Sequence, residues 1–317
     1  MSLFKILRRH GTPSSHGVQA PFAQSGPASQ PDADINQYSN RIRILIIGRA
    51  NAGKTTILQK VCGATKLPEV FDVDGNRIEK GNFLTPSHDR GVHNINNSTV
   101  FQSNPSFIFH DSRGFESGDT RELDEVKAFI SARSNMDNLA DRIHAVWYCI
   151  PLDDDRPFLT AEKDFFSECG TGDVPVIVIF TKFDAMDDKA FAELIESDMS
   201  IDDARAQAPG YAVAMFERDL RDVLYGMKYP PKTHVLLRDM NLAHASCQEL
   251  VNCTANEIDN KVLKRLFISN QRSNLRLCIE SAMDELGILF RTMEVVKMQK
   301  AIMNCFPHCV VCYTFFF

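Results

Sequence analysis

The sequence has no excess of positive charge, because 35 Lys and Arg residues face 41 Asp and Glu residues and the formal net charge is −6. A protein built to bind nucleic acid needs a basic face, so we expect no nucleic acid among its partners. The chain also lacks an apolar run of the roughly 18 residues that a membrane-spanning helix needs. With 44% apolar and 24% charged residues it can still bury an ordinary globular core.

The nine cysteines do not form the paired, regular spacing of a small disulfide-stabilised domain. Their number is odd and they are scattered along the chain, which favours free thiols in a reducing compartment. We therefore expect a cytoplasmic protein, with membrane association left open by the sequence of its C-terminus.

Composition divides the chain into regions. Residues 1–40 are rich in Pro, Ser, Gly and Gln and have few large apolar side chains, so they cannot bury enough surface to fold alone. The predicted regions are a disordered lead (1–40), a G domain (41–256) with a helical insertion (about 185–232), a C-terminal helical segment (257–304) and a Cys- and Phe-rich tail (305–317).

Short apolar runs alternate with segments of helical periodicity between residues 41 and 256. Alternation of buried strands with helices is typical of right-handed βαβ units, so it predicts an α/β fold with a largely parallel sheet. The predicted strands are 41–47, 98–102 (the weakest), 106–109, 145–150, 174–180 and 233–237. The predicted helices are 55–62, 120–132, 161–168 and 211–224.

The strongest functional pattern follows the first strand, where residues 48–55 (GRANAGKT) match G-x4-G-K-[ST]. Glycines allow a loop to wrap closely, so that its N–H groups and the next helix N-terminus surround phosphates. Lys54 would reach the β- and γ-phosphates, and the Thr55 hydroxyl would bind Mg²⁺. The predicted nucleotide-binding residues of this loop are Asn51, Ala52, Gly53, Lys54, Thr55 and Thr56.

A second pattern, D-x-x-G, ends another predicted strand at residues 111–114. Asp111 at that strand end would hold Mg²⁺ through water, and the Gly114 N–H would meet a γ-phosphate. D-x-x-G alone is a weak pattern, and it also occurs at residues 72–75. No buried strand is predicted directly before that second copy, so we assign it no function.

A third pattern, Thr181-Lys182-Phe183-Asp184, comes directly after the apolar run 174–180. A carboxylate at Asp184 would accept hydrogen bonds from N1–H and the exocyclic amine of guanine, whereas adenine presents the opposite pattern. The Lys182 stem would lie along the base. The three patterns in this order predict a guanine-nucleotide site.

Residues 48–55, 111–114 and 181–184 resemble the G1, G3 and G4 motifs of the translation-factor-related (TRAFAC) class of P-loop GTPases. Residues 90–97, 110–116 and 142–149 are similar to segments of uncharacterised fungal G-domain-containing proteins. The resemblance covers about residues 41–290. It implies binding of GTP or GDP, Mg²⁺ and a three-layer α/β/α G domain.

The chain departs from the family pattern at three places. Phe115 stands where many small GTPases have a glutamine that orients the attacking water, so no catalytic residue is assigned there. For the switch I threonine, a further Mg²⁺ ligand, Thr85 is preferred over Ser87. No S-A-K sequence marks the last base loop, and Asp239 (in 238–240) is preferred over the alternative at 245–246.

Two rival functions remain at this point, a GTP-binding scaffold that does not hydrolyse GTP and a P-loop ATPase or kinase. Partners beyond guanine nucleotide would be a protein effector or an activating protein. The tail 305–317 either packs on the G domain or contacts a membrane surface peripherally. The acidic run 153–155 is more typical of a solvated loop than of a metal site.

The substitution at Phe115 predicts slow GTP hydrolysis by the protein alone, because a phenyl ring can neither donate nor accept a hydrogen bond to water. We expect turnover of purified full-length chain, followed as phosphate release with Mg²⁺, to stay slow unless a partner is added. Rapid turnover without any partner would contradict this prediction.

Overall fold

The computed structural model describes residues 41–78, 94–112, 114, 120–154, 156–259, 263, 264, 267, 268, 279 and 283. The predicted lead 1–40, the tail 305–317, Thr85, Ser87 and Phe115 lie outside the described residues. Within the described part of the chain, no helix is both long and apolar enough to cross a lipid bilayer.

Eight strands form one sheet within the described residues. They are β1 (Ile42–Gly48), β2 (Glu69–Phe71), β3 (Arg77–Ile78), β4 (Ser98–Phe101), β5 (Asn104–Asp111), β6 (Ala145–Pro151), β7 (Val176–Thr181) and β8 (Thr233–Leu236). Their spatial order is β3-β2-β4-β5-β1-β6-β7-β8. Strands β5, β1, β6, β7 and β8 are mutually parallel, whereas β2, β3 and β4 pair antiparallel at one side.

The helices connect these strands and continue beyond them. They are α1 (Lys54–Val61), α2 (Thr120–Ser134), α3 (Thr160–Glu168), α4 (Asp184–Glu196), α5 (Ile201–Phe216), α6 (Asp222–Tyr225) and α7 (Gln248–Glu257). A π-helical turn (Glu217–Arg221) joins α5 to α6. Leu263, Lys264, Phe267 and Ile268 are also helical.

Helices cover both faces of the sheet, because alternate side chains of each parallel strand enter different cores. In β1, Leu45 and Ile47 belong to the core under α2 to α6, whereas Ile44 and Ile46 belong to the core under α1 and α7. The ring of Phe267 packs edge-on against Phe107 at 5.6 Å, so the C-terminal helical residues extend the second core. The layers are therefore helix, sheet and helix.

The predicted α/β fold with a mostly parallel sheet is confirmed, and the architecture is consistent with a P-loop G domain. The sequence patterns missed β2 and β3, which are three and two residues long and only partly buried. The D-x-x-G copy at residues 72–75 forms the turn between them: Asp72 accepts hydrogen bonds from the N–H groups of Asp74 and Asn76.

Two buried histidines, His110 and His144, form a network with the partly buried Arg43 of β1. The Arg43 Nη1 group donates to His110 Nε2 at 2.7 Å, so His110 Nδ1–H donates to the carbonyl of Ile95. The Arg43 N–H donates to His144 Nδ1 at 2.9 Å, so His144 carries its proton on Nε2. Burial, aided by the Arg43 charge, lowers the pKa of His110 to about 3 and that of His144 to about 4.

These pKa values predict acid sensitivity. A histidine whose folded pKa lies below its unfolded value of 6.5 binds more protons when unfolded, so the free energy of unfolding falls as pH falls from 6.5 to 4. A shift of that size corresponds to about 3 kcal/mol for His144. We expect His144→Asn, which keeps an acceptor for the Arg43 N–H, to lose less stability over this pH range in urea titrations.

His244 is exposed and supplies the matched control, because His244→Asn removes a histidine without touching the buried network. The wild type and His244→Asn should show the same pH dependence. An equally steep loss of stability in His144→Asn would contradict the assignment.

Candidate functional site

The loop after β1 turns sharply into α1. Asn51 and Gly53 have φ angles of 59° and 78°, the left-handed region, and Gly53 is the N-cap of α1. Ala52 is buried, and its N–H donates to the Arg49 carbonyl at 3.3 Å. Because α1 begins at Lys54, its unpaired N–H groups and the positive end of its dipole point at this loop.

Gly48 places this loop against β6. Its φ angle is 137°, and a Cβ built there would overlap the carbonyl oxygen of Cys149. Gly48 is also the last residue of β1 paired with β6, opposite Cys149. The glycine therefore permits a close backbone approach where strand β1 ends.

Lys54 folds over the loop that precedes it. Its Nζ donates to the carbonyls of Gly48 at 3.1 Å and Arg49 at 2.9 Å. The ammonium therefore lies on the concave side of the loop, beside the N-terminus of α1. Thr55 and Thr56 occupy the first turn of the same helix, where Thr55 is exposed.

Gly114 brings the end of β5 to the same loop. A Cβ built on Gly114 would overlap the backbone N and Cα of Ala50, so the two backbones are in direct contact. Only glycine allows this approach. The two predicted phosphate-contacting segments, 48–55 and 111–114, are thus adjacent in the structure.

The Asp111 carboxyl lies at the end of β5 with a buried Oδ1 that has no hydrogen-bond partner. Burial raises the pKa of this carboxyl to about 6, and the nearby Lys54 charge opposes the rise. An unpaired carboxylate oxygen suits Mg²⁺, which prefers oxygen ligands and often takes one or two protein groups plus phosphates. The Asp111 carboxyl, which lies near the Lys54 charge at the start of α1, therefore fits a magnesium ion.

The Thr181–Asp184 segment leaves β7 two strands away from β1. Asp184 is the first residue of α4, and its Oδ1 accepts a hydrogen bond from the Asp239 N–H at 3.0 Å. The Phe183 N–H donates to the Leu237 carbonyl at 3.0 Å, which ties the same turn to the segment after β8. The structure thus brings Asp184 and Asp239 together.

The alternative base-loop residues, Ala245 and Ser246, lie at a different element. The Ser246 hydroxyl accepts from the N–H of Gln248, where α7 begins. Within the described contacts, the structure therefore places Asp239 rather than Ser246 against the Asp184 carboxylate.

Arg238 braces the turn that carries Asp184, a contact that the sequence patterns did not reveal. Its guanidinium stacks over the Phe183 ring at 4.6 Å, forms an ion pair with Asp187 and donates to the Pro209 carbonyl at 3.3 Å. The first two partners follow β7, whereas Pro209 belongs to α5. Arg238 thus joins α5 to the turn that carries Asp184.

Lys182 and two aspartates of the acidic run, Asp153 and Asp154, form ion pairs. Lys182 has a φ angle of 53°, and its Nζ donates to Asp153 at 2.6 Å. Asp154 forms ion pairs with Arg49 and Arg156. Asp153 and Asp154 therefore remain partly exposed while pairing with basic residues, which agrees with a solvated loop. No group of three or more His, Cys, Asp or Glu residues in the described ranges is arranged to hold a metal ion.

Those predicted site residues that the structure describes collect at one edge of the sheet. Parallel strands end at the same edge, and neighbouring strands are about 5 Å apart, so the ends of β1 and β7, two strands apart, are roughly 10 Å apart. The register supports this, since Gly48 pairs with Cys149 and Thr181 pairs with Pro151 on β6. Thr181 itself is buried with an unpaired hydroxyl.

Comparison with known proteins gives little further information. No protein-family model and no curated protein matches the chain. Among similar solved structures is a GDP-bound mutant of the S. thermophilus FeoB G-domain, at 15% identity and a TM-score of 0.26, covering 44% of this chain and 43% of that one. The chain thus spans less than half of that structure's length. A similarity this low carries no argument about function.

The close approach at Gly48 predicts a steric effect of substitution. Gly48→Ala should destabilise the protein by at least about 2 kcal/mol, because a methyl group would overlap the Cys149 carbonyl and the backbone would be strained. Gly63→Ala is the control: Gly63 also has a positive φ angle, 58°, but its Cβ would meet nothing within 4 Å. Urea denaturation of both variants measures the difference, and equal losses would exclude the steric explanation.

Proposed function

We propose that this chain is a guanine-nucleotide-binding switch protein and a Mg²⁺-dependent GTPase whose hydrolysis is slow or assisted by a partner. One observation carries the proposal: three separate segments, 48–55, 111–114 and 181–184, end at the same edge of the sheet. The contacts Gly114–Ala50 and Asp184–Asp239 support two adjoining halves, one for phosphates and one for a base.

The phosphate half consists of the loop 48–55 and the end of β5. N–H groups of the loop and of the first turn of α1 would donate to the phosphates, and Lys54 Nζ lies where it can bind the same charge. The Gly114 N–H would donate to the terminal phosphate. A bound Mg²⁺ would neutralise phosphate charge, and Thr55 and Asp111 would hold it.

The base half depends on Asp184. Its Oδ1 already accepts from the Asp239 N–H, and an ionised carboxylate has about four acceptor positions, so guanine N–H donors can be accepted as well. The Asp239 backbone would lie beside the base edge. Lys182 would pack its methylene groups on the base while its ammonium remains near Asp153.

The switch would consist of residues 83–97 and 111–120, ordered when a γ-phosphate and Mg²⁺ are bound and looser afterwards. A direct contact in the described residues supports coupling of the two segments, because His110 Nδ1–H donates to the Ile95 carbonyl at 2.9 Å. That bond joins the residue before Asp111 to the end of the first segment.

A second candidate is a GTP-binding scaffold that does not hydrolyse its ligand, and Phe115 favours it. Both candidates bind GTP, so single-turnover hydrolysis of pre-bound GTP separates them. A slow conversion to GDP supports the GTPase, and complete retention of GTP supports the scaffold.

Base recognition by Asp184 predicts a change of specificity. Asp184→Asn keeps an oxygen for the Asp239 N–H but offers an amide donor to the base, so guanine binding should weaken by at least about tenfold and xanthine nucleotides should be favoured. Competition of labelled GDP by GDP, XDP and ADP measures this. The exposed Asp188 on the same helix supplies the control Asp188→Asn. ADP binding equal to GDP binding in the wild type would contradict the proposal.

Phosphate binding by Lys54 predicts that its substitution weakens nucleotide binding without changing the preference for one base over another. Lys54→Ala should weaken binding of guanine and xanthine diphosphates alike, because it removes a charge that contacts phosphate rather than base. We expect a loss of at least about tenfold in titrations with either nucleotide. A loss restricted to one base would contradict the assigned role.

A further inference from the structure

Arg49 lies in the phosphate loop, yet its side chain turns away from the concave side and is buried. Its Nε and Nη2 groups donate to the two carboxylate oxygens of Glu162 at 2.6 and 3.0 Å. Glu162 belongs to α3 and is completely buried. A two-point pairing of this kind fixes the orientation of the guanidinium as well as its position.

The same pair fixes the segment that connects β6 to α3. Arg49 Nη2 also donates to the carbonyls of Arg156 and Pro157 at 3.1 and 3.0 Å, and Glu162 accepts from the Leu159 N–H. Both charged groups therefore have further hydrogen bonds besides each other. Loss of either member would leave the other charged and buried.

The main chain of Arg49 is what Lys54 and Ala52 contact. Its carbonyl accepts from Lys54 Nζ at 2.9 Å and from the Ala52 N–H at 3.3 Å. The side chain of this residue is thus anchored in α3 while its backbone helps to shape the loop. The Arg49 guanidinium binds Glu162 of α3 rather than the inside of the loop, so Arg49 need not contact a phosphate.

Burial of a charged pair is a poor means of stabilisation, because apolar residues of similar size often stabilise as well or better. The geometry above offers another role. We propose that Arg49 and Glu162 are positioning residues that hold the phosphate loop in its binding conformation, and this rests on the proposed nucleotide-binding function. Their contribution is to recognition of the β-phosphate rather than the base.

The test compares GDP with GMP, because GMP lacks the β-phosphate that the loop would bind. In full-length protein, Glu162→Gln should weaken GDP binding by at least about tenfold, which is the usual effect of losing a residue that orients a binding group. GMP binding should weaken by less than about threefold. Glu168→Gln is the matched control: Glu168 also belongs to α3 and pairs with Lys127 at 2.5 Å, but on the surface. Its GDP-to-GMP affinity ratio should equal that of the wild type.

A double variant separates positioning from stability. Arg49→Met combined with Glu162→Leu removes both charges together, so its melting temperature should return towards the wild-type value even if Glu162→Gln folds poorly. We expect its GDP-to-GMP affinity ratio to remain low. A ratio that recovers together with the melting temperature would show that the pair acts through stability alone and would overturn the proposal.

A variant at Asp153 tests whether the change in the GDP-to-GMP affinity ratio is specific to the Arg49–Glu162 pair. Asp153→Asn removes the half-exposed pair with Lys182 from the same connecting segment, so it should leave the GDP-to-GMP ratio unchanged. A ratio lowered as much as in Glu162→Gln would overturn the assignment to Arg49 and Glu162.

The wild type and Glu168→Gln distinguish failure of this inference from failure of the proposed function. If both bind GDP more tightly than GMP and the ratio is the same in Glu162→Gln, only the positioning role is wrong. If neither binds a guanine nucleotide, the proposed function is wrong and the positioning role falls with it.

Discussion

Strand β1 lies between β5 and β6, parallel to both, and buries its side chains on both faces of the sheet. β7 pairs parallel with β6 in turn, so the carboxyl ends of all four strands meet at one edge, whatever the chain does between them. The loop after Gly48, the carboxyl of Asp111 and the turn after Thr181 owe their proximity to this arrangement. A shift of β1 by one residue would also exchange its two sets of core side chains and is therefore strongly disfavoured.

Much of the fold was predictable, because the parallel strands are apolar on both faces. β1, β6 and β7 appear in the sequence as near-continuous runs of Ile, Val and aromatic residues, which is typical of strands covered by helices on both sides. β2 and β3 were missed because a partly buried strand of two or three residues has too few positions to show alternation. The predicted helix 211–224 is part of a longer helical stretch, because α5 begins at Ile201 and the π-helical turn and α6 continue it to Tyr225.

Those segments of the candidate site whose functional residues are close together in the sequence were predictable. A loop such as 48–55 has its chemistry within eight consecutive positions, so spacing alone identifies it. Glu162 carries no such signal: it lies 113 positions from Arg49 and resembles any glutamate in the first turn of a helix. The ion pairs of Asp153 with Lys182 and of Asp154 with Arg49 carry no such signal either, because the partners are distant in sequence.

At the sheet edge, the charged groups that would bind ligands lower the stability of the folded chain. Asp111 has a buried oxygen without a hydrogen bond, and burial raises the pKa of its carboxyl, so ionising it in the folded chain costs free energy. Lys54 offsets part of this cost through its charge, but its ammonium is hydrogen-bonded to the carbonyls of Gly48 and Arg49. A cation bound at Asp111 would lower the cost of ionising that carboxyl. An anion bound at Lys54 would pair with its ammonium charge. Because the Lys54 charge acts on Asp111, the phosphate and Mg²⁺ of the proposed function would each bind more tightly when the other is present, which is the behaviour expected of a metal–phosphate pair.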